Sequence, residues 1–388
     1  MTSQVRIESH ARPPWWRDEN VLKIVLQAVF TVAVVLVMGA LFRNMLRGLD
    51  RAGLSLGFNF LKNTASFGIS EGIPYSPSDS YFKAFIVGVV NTIWVSAFGI
   101  VLATLLGLGL GIARLSSNWL AKKLAGIITE VFRNIPVLLI IFFWYQGVLL
   151  KMPRVRDSYS LFGFHLSNRG LNFPSAIPTW WLLPTLAIAA LVAWQIPKVL
   201  HSRTRLPNGV PFLSGLIGAV LVFAIAWVVL PSPPFAIEYP ELGGFNFRGG
   251  WNFSIEFLAL LLGLVTYTGA YIAEVVRGAF MAVPRGQWEA SRAIGFSEMD
   301  TFRLVIVPQA LRIMLPSLNT QFLTLIKNSS LAIAIGYADM FNISSTIINQ
   351  SGRSIEVFAI MMLAYLIINL GVSYSVNWLN NRVKLVER

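Results

Sequence analysis

Hydrophobic residues in this chain gather in long uninterrupted blocks instead of recurring at the spacing of a soluble helix. Each block approaches or exceeds the roughly 20 residues that an α-helix needs to cross a bilayer. The pattern therefore predicts an all-α membrane protein with about eight transmembrane helices. The predicted spans cover residues 21–42, 82–112, 125–150, 179–197, 212–231, 254–276, 316–340 and 355–379.

Composition agrees with this pattern. The 388 residues are 55% hydrophobic and 13% charged, whereas soluble domains carry about 25% charged residues. The net charge of +13 would suggest a nucleic-acid partner in a soluble protein, but here the basic residues lie largely between apolar blocks. The chain has no cysteine and three scattered histidines. We therefore expect no nucleic-acid partner, no disulfide, no metal site and no catalytic residues.

Basic residues also predict the orientation, because they collect on the cytoplasmic side of a membrane. Of the arginines and lysines outside the spans, 18 fall on the side of the two termini and 11 on the other side. Both termini are therefore predicted to be cytoplasmic. The lipid bilayer is therefore an expected partner.

Two local signals concern how the spans pack. Gly107 and Gly111 form a GxxxG pattern in the second span, and this pattern lets two helix backbones approach closely. Pro136 lies inside the third span, where a proline breaks or kinks a helix. The sequence thus predicts a close helix contact at the glycines and a broken helix at the proline.

The connection between the sixth and seventh spans predicts two short helices around a glycine. Gly295 suits the left-handed position that ends a helix. Ser297 can cap the next helix, with Asp300 three residues further on. Pro308 and Pro316 are expected to interrupt the chain before the seventh span. These signals predict a compact protrusion on the basic side of the membrane, of a kind suited to docking into another protein.

The same segment resembles the EAA loop of ATP-binding-cassette importer permeases, whose pattern is E-A-A-x3-G-x9-I-x-L-P. Here Glu289, Ala290, Gly295 and Pro308 fall in register, and Ser291 is a mild departure. Val305 and Val307 also depart mildly from the pattern. The resemblance implies that this loop couples the permease to an ATPase. Further segments resemble permeases for polar amino acids: residues 91–92, 130–145, 267–278 and 325–331. The first outer loop resembles the longer permease of general L-amino acid importers at residues 55–61 and 73–79.

The resemblance implies a permease subunit that forms half of the path for amino-acid uptake. Its implied partners are two cytoplasmic ATPase subunits, a second permease subunit, and a periplasmic amino-acid-binding protein. A different chain is favoured as the second permease subunit, and a second copy of this chain stays open. The implied location is a bacterial inner membrane. The chain has no Gly-Lys dipeptide and so no phosphate-binding loop of its own. No cofactor is expected here, because ATP and Mg would bind the partner ATPases.

The resemblance also predicts how the chain is divided into a core and additional segments. Spans two, three, six, seven and eight match the five-helix core of a type I importer permease. The predicted parts are a cytoplasmic N-terminus at 1–20, an extra first helix and outer loop at 21–81, core at 82–150, an inserted helix pair with outer loops at 151–253, and core at 254–388 with the coupling loop at 284–312.

Polar residues inside spans are candidates for the substrate pathway, since a charged side chain there costs about 2.5–3.5 kcal/mol on insertion scales. The candidates are Lys327, Asn328, Ser329, Arg133 and Asn134. Local pairing is the simpler interpretation for two pairs three residues apart, Glu130 with Arg133 and Glu274 with Arg277. Lys327 has no acidic residue at helical spacing.

Two other functions remain open from these residues. One is a secondary transporter or channel that is driven by an ion gradient and needs no ATPase; the EAA loop argues against it. The other is a membrane enzyme. A single GxSxG match at residues 53–57 is its only support. That motif needs a strand–turn–helix together with an Asp and a His, whereas the match lies in a predicted outer loop of a chain with only three histidines.

Overall fold

The computed structural model describes residues 19–51, 56–203, 209–244 and 246–383. Most of the predicted N-terminus 1–20, part of the GxSxG match and the last five residues lie outside these ranges. Contacts divide the chain into two units, residues 1–60 and 61–388. The first unit contains the first helix, whose side chains are mostly exposed.

The α-helices of the described chain are α1 (Glu19–Arg51), α2 (Tyr81–Leu115), α3 (Trp119–Asn134), α4 (Val137–Phe142), α5 (Leu182–Arg203), α6 (Gly209–Val229), α7 (Ile255–Ala282), α8 (Arg285–Ala293), α9 (Glu298–Asp300), α10 (Val307–Asn328), α11 (Met340–Ser351) and α12 (Ser354–Val383).

All eight predicted spans coincide with helical segments. Six described helices are long and apolar enough to cross a membrane, and the bent pair 119–134 and 137–151 makes a seventh if it counts as one span. The apolar part of α6, Leu213–Val229, is shorter. The chain is therefore a mostly helical, multi-pass membrane protein, while the count of eight stays a prediction.

The connections before and after the helix pair α5–α6 contain short strands that the all-α prediction missed. They are β1 (Tyr159–Leu161), β2 (Phe164–Ser167), β3 (Gly170–Phe173), β4 (Ser175–Pro178), β5 (Phe235–Glu238), β6 (Glu241–Gly243), β7 (Asn246–Arg248) and β8 (Trp251–Phe253). A four-stranded antiparallel sheet has the order β1-β2-β3-β8, and β4 pairs with β5 and β6 with β7.

The two ends of the second unit are named for what they contain. The strand end carries these strands, and the connector end contains residues 116–118 and 283–297.

Helices α2 and α7 both begin towards the strand end and run parallel, with Gly107 beside Ile272 and Gly111 beside Val276. Each has a serine N-cap: Ser80 accepts a hydrogen bond from the amide of Lys83, and Ser254 accepts one from the amide of Phe257. Such caps satisfy amides that the helix leaves without partners. The core of the second unit lies where α2, α7 and α10 pack together.

The GxxxG pattern lies at the α2–α7 contact, as predicted. A Cβ atom on Gly107 would lie 2.4 Å from a methyl carbon of Ile272, and one on Gly111 would lie 2.7 Å from Cβ of Val276. The backbones can approach only because these two positions lack side chains. Gly109, between them, has no atom within 4 Å of such a Cβ.

We expect Gly107→Leu to loosen the α2–α7 contact. Forcing extra carbon atoms into a packed helix contact typically costs about 1–3 kcal/mol, so the unfolding midpoint of the purified protein in detergent should fall. Gly109→Leu is the matched control, since it adds the same side chain to the open face of the same turn. Equal midpoints for the two variants would contradict the close contact.

The third predicted span is broken, as expected from Pro136. The helical segments on either side of the break meet at 109°. Ile135 has φ −99° and ψ 132°, the extended backbone that a following proline imposes. The hydroxyl of Tyr271 donates a hydrogen bond to the carbonyl of Arg133 at 3.2 Å, which satisfies one acceptor at the end of α3.

The predicted interruption at Pro308 and Pro316 is wrong. Residues 301–306 form a π-helical turn, and α10 continues from there through Pro316 to Asn328. Pro308 is near the start of α10, where the hydrogen-bond register changes and a missing amide donor disturbs little.

Candidate functional sites

The connector between α7 and α10 forms the predicted protrusion. Gly295 has φ +90° and follows the last residues of α8. The amide of Phe296 donates to the carbonyl of Ser291 at 3.1 Å, and the amide of Gly295 donates to the carbonyl of Arg292 at 3.0 Å. These two bonds define a Schellman motif, in which glycine takes the left-handed position. The predicted role of Gly295 in the turn is confirmed.

The helix after the turn starts as the sequence predicts. The Ser297 hydroxyl accepts a hydrogen bond from the amide of Asp300 at 3.1 Å. Arg292 of α8 pairs with Glu298 of α9 at 2.8 Å, so a salt bridge also links the two short helices. The turn is therefore held by backbone bonds, a cap and an ion pair, and its shape is well defined.

One face of the protrusion anchors it to the bundle, and the other is exposed. Ser291 is buried, and Trp288 packs against the core. Glu289 and Ala290 are exposed, and the Glu289 carboxylate has no ion-pair partner among the described residues. Three apolar side chains are exposed around the turn: Ile294, Phe296 and Met299. Neighbouring exposed apolar groups of this kind are typical of a protein-binding surface.

Pro308 is not part of the exposed turn. It is half-buried near the start of α10. Of the five predicted coupling residues, Glu289, Ala290 and Gly295 are exposed, whereas Ser291 is buried and Pro308 is half-buried. Their predicted contact with an ATPase stays a prediction.

Three arginines converge on Glu274 near the connector end. Arg277 pairs with it one helical turn away, as predicted, and Arg114 of α2 contacts the same carboxylate at 2.5 Å. Arg133 of α3 lies 3.5 Å from it, with its guanidinium 5.3 Å from the ring centroid of Tyr271. The four side chains therefore join α2, α3 and α7.

This cluster corrects the local pairing expected for Arg133. Its ion-pair partner is Glu274 on another helix, not Glu130 on its own helix. Sequence reasoning missed the cluster because charged residues so far apart along the chain carry no spacing signal. Arg133 acts here as a link between helices, and its predicted place in a substrate pathway stays a prediction.

Lys327 lies on a polar stripe along α10. The spacing of Ser317, Thr320, Thr324 and Lys327 puts them on one helix face. Ser317, Thr320 and Lys327 are exposed, and Thr324 is half-buried. A polar stripe on a membrane-spanning helix needs polar surroundings, because lipid cannot solvate it. Lys327 is in the last turn of α10, towards the strand end, and not in the middle of the helix.

The other predicted pathway residues do not gather around Lys327. The Ser329 side chain is buried and donates a hydrogen bond to the carbonyl of Ile326 at 2.8 Å. Asn328 is half-buried, and Asn134 is exposed at the end of α3. Arg133 is tied to the Glu274 cluster at the connector end. The five residues therefore do not form one site within this chain.

A sequence pattern shared by inner membrane components of binding-protein-dependent transport systems matches residues 99–385. This match covers most of the chain, including the protrusion, the Glu274 cluster and α10. The chain belongs to this family of membrane-spanning permease subunits.

Full-length relatives carry more specific names. YhdX of Escherichia coli (strain K12), named as a candidate amino-acid ABC transporter permease, is 43% identical over 93% of this chain and 94% of its own. The general L-amino acid transport system permease protein AapQ of Rhizobium johnstonii is 41% identical over 92% of each. The glutamate/glutamine/aspartate/asparagine transport system permease protein BztB of Rhodobacter capsulatus is 34% identical over 96% of each. A chain from the crystal structure of an amino acid ABC transporter with histidines superposes with a TM-score of 0.47 at 20% identity, over 78% of this chain and 95% of that one.

Proposed function

We propose that this chain forms half of the translocation path of an ATP-driven amino-acid importer. The observation that carries the proposal is the rigid, partly apolar protrusion around Gly295, on a chain whose relatives are named as amino-acid permeases. The protrusion suits a groove on a separate ATPase. ATP and Mg bind that subunit, and two copies serve the complex.

The α10 stripe supports a second permease subunit. In this chain Lys327, Ser317 and Thr320 are exposed on this stripe, and a facing subunit supplies the polar surroundings that lipid lacks. The path for substrate runs between the two chains. The resemblance to the longer permease of general L-amino acid importers supports a partner of different sequence, and a periplasmic binding protein delivers the amino acid.

The proposal is tested with the purified complex in proteoliposomes that contain ATP. We expect uptake of glutamate, glutamine or other L-amino acids that requires internal ATP and the binding protein and is insensitive to ionophores. Mass spectrometry of the same complex identifies its subunits. Uptake that needs an ion gradient and no ATPase would contradict the proposal and favour a secondary transporter.

The proposed orientation places the strand end in the periplasm and the connector end in the cytoplasm. Basic residues outside the spans favour the connector side by 18 to 11. The chain has no cysteine of its own, so single cysteines at Ser160 in β1 and Ser117 before α3, both exposed, report each side. An impermeant maleimide should label Ser160→Cys and not Ser117→Cys in intact spheroplasts. The reverse pattern would overturn the orientation.

Lys327→Met tests whether the lysine meets the substrate. The change keeps most of the side-chain length and removes the charge that would face the carboxylate of a passing amino acid. We expect a complex that assembles normally, transports poorly and has a changed preference between acidic and basic amino acids. Reduced assembly instead would indicate a structural strut between helices, and unchanged uptake of all substrates would contradict both roles.

A further inference from the structure

A cavity of about 360 Å³ opens at the strand end of the second unit. Its walls come from four separate segments: the loop before α2, the first half of α2, β8 with the start of α7, and the segment after α10. Small-molecule sites have volumes of roughly 300–1,000 Å³, so this cavity accommodates one small solute. It contains no residue of the protrusion, of the Glu274 cluster or of the polar stripe on α10.

Aromatic rings form a continuous wall of the cavity. Trp94 stacks on Phe98 at a centroid distance of 5.6 Å and an interplanar angle of 18°. Phe98 meets Phe253 edge-on at 5.8 Å, Phe253 lies 4.6 Å from Phe257, and Phe257 lies 5.8 Å from Tyr337. Aromatic faces attract cations through the ring quadrupole, within about 6 Å of the ring centroid.

The loop that carries Glu71 is fixed against this wall. The side-chain amide of Asn91 donates to the carbonyl of Glu71 at 3.3 Å and to the carbonyl of Ala338 at 2.8 Å. Gly72 has φ +102°, and a Cβ there would lie 2.4 Å from the Asn91 side-chain oxygen. The loop therefore requires glycine at this position, and Asn91 holds the neighbouring Glu71 in place.

The Glu71 carboxyl group has no basic partner among the described residues, and no residue that lines the cavity is a lysine or an arginine. Burial raises the pKa of Glu71 to about 7, a hydrogen bond from Ser254 opposes this rise, and the nearby Glu256 adds to it. A carboxylate in such a site is costly unless a counter-charge accompanies it, and a pKa near 7 leaves the group partly protonated at neutral pH. A cation that enters the cavity would supply the counter-charge and favour the ionised form.

We propose that this cavity is a binding site for the ammonium group of an amino acid, held between the Glu71 carboxylate and the aromatic wall. An ammonium donates charge-assisted hydrogen bonds to a carboxylate and is attracted to the faces of Trp94 and Phe98. With no cation in the lining, the carboxylate of the amino acid faces the opening. The site rests on the proposed function and deepens it, because it gives this chain a contact with substrate, separate from Lys327, at the end where delivery occurs.

The proposal is tested by calorimetry on the purified complex without binding protein, with glutamine and N-acetylglutamine as probes. Wild type should bind glutamine and not the N-acetyl compound, which lacks the ammonium. Glu71→Gln and Trp94→Leu should each weaken glutamine binding at least about tenfold, equivalent to roughly 1.4 kcal/mol. Glu241→Gln is the matched control, since it removes an exposed carboxylate from β6 and should leave binding unchanged.

The pH dependence gives a signature that a merely structural Glu71 would not produce. Because the carboxyl group ionises through about pH 7, glutamine binding by wild type should tighten between roughly pH 6 and 8. Glu71→Gln should show no such change. The titratable groups nearest to this carboxyl group are Glu256 and Tyr337, with Tyr145 next to Glu256 and Asp339 near Tyr337.

Three results would overturn the site: equal binding of glutamine and N-acetylglutamine, unchanged glutamine binding by a correctly assembled Glu71→Gln complex, or no glutamine binding by wild type. If wild type binds no glutamine, the ATPase activity of the Glu71→Gln complex distinguishes the remaining explanation. A loss of its stimulation by the binding protein would indicate that the cavity contacts a basic side chain of the binding protein. ATP-dependent uptake is measured in parallel. If wild type transports amino acids while the calorimetry fails, the proposed function stands and the site alone is rejected.

Discussion

Gly295→Arg should strongly reduce coupled uptake while the complex remains assembled. Gly295 adopts φ +90°, and a side chain in left-handed backbone costs roughly 1–2 kcal/mol. The substitution also places a long cation between Ile294 and Phe296, on the surface proposed to dock on the ATPase. We expect ATP-dependent uptake and binding-protein-stimulated ATPase activity to fall at least about tenfold, which corresponds to roughly 1.4 kcal/mol of docking free energy.

Gly352→Arg separates docking from backbone strain. Gly352 also has positive φ, +67°, and a Cβ there would meet no atom within 4 Å, as at Gly295. It ends α11, towards the strand end. A similar loss of uptake in both variants would attribute the effect to strain, and wild-type uptake in Gly295→Arg would reject the docking role.

Glu274→Gln should destabilise the packing of α2, α3 and α7. The change keeps the shape of the side chain but leaves Arg114, Arg133 and Arg277 without their shared counter-charge. Removing one partner of a buried ion pair costs about 3–5 kcal/mol. The four side chains are 14–36% exposed, so water screens part of this loss and about 2–3 kcal/mol is expected. The unfolding midpoint of the complex in detergent measures it.

Glu130→Gln is the control for this effect. Glu130 is an exposed carboxylate on α3, three residues before Arg133, and it has no ion pair among the described residues. Its removal should change stability by no more than about 0.5 kcal/mol. If Glu130→Gln and Glu274→Gln lower the unfolding midpoint equally, Arg133 pairs with Glu130 on its own helix, and the convergence of the three arginines on Glu274 is contradicted.

Features set by neighbouring residues could be predicted from the sequence. Gly295 and Ser297 signal a helix end and a helix start through local backbone chemistry, and both occur where expected. Pro136 breaks its helix because it restricts the residue before it. Pro308 shows the limit of the same reasoning. A π-helical turn precedes it, so the helix continues although Pro308 lacks an amide hydrogen-bond donor, and no local sequence pattern predicted that turn.

Features that join distant segments could not be predicted. Arg133 had a carboxylate at helical spacing on its own helix, yet it pairs with Glu274 on α7. The Glu71 cavity likewise needs four segments, and none of them is distinctive alone. The strands escaped prediction because each has only three or four residues, too few to establish an alternating pattern.

The pairing of β3 with β8 bears on how the segment between them affects the rest of the fold. Phe173 lies opposite Trp251 in the sheet, so the polypeptide leaves the sheet and returns to it at adjacent positions, about 5 Å apart. Within the intervening stretch β4 pairs with β5, and α5 packs on α6. A short turn between Phe173 and Trp251 would close the same sheet, so the geometry allows the helix pair to be removed without moving the strands on either side of it.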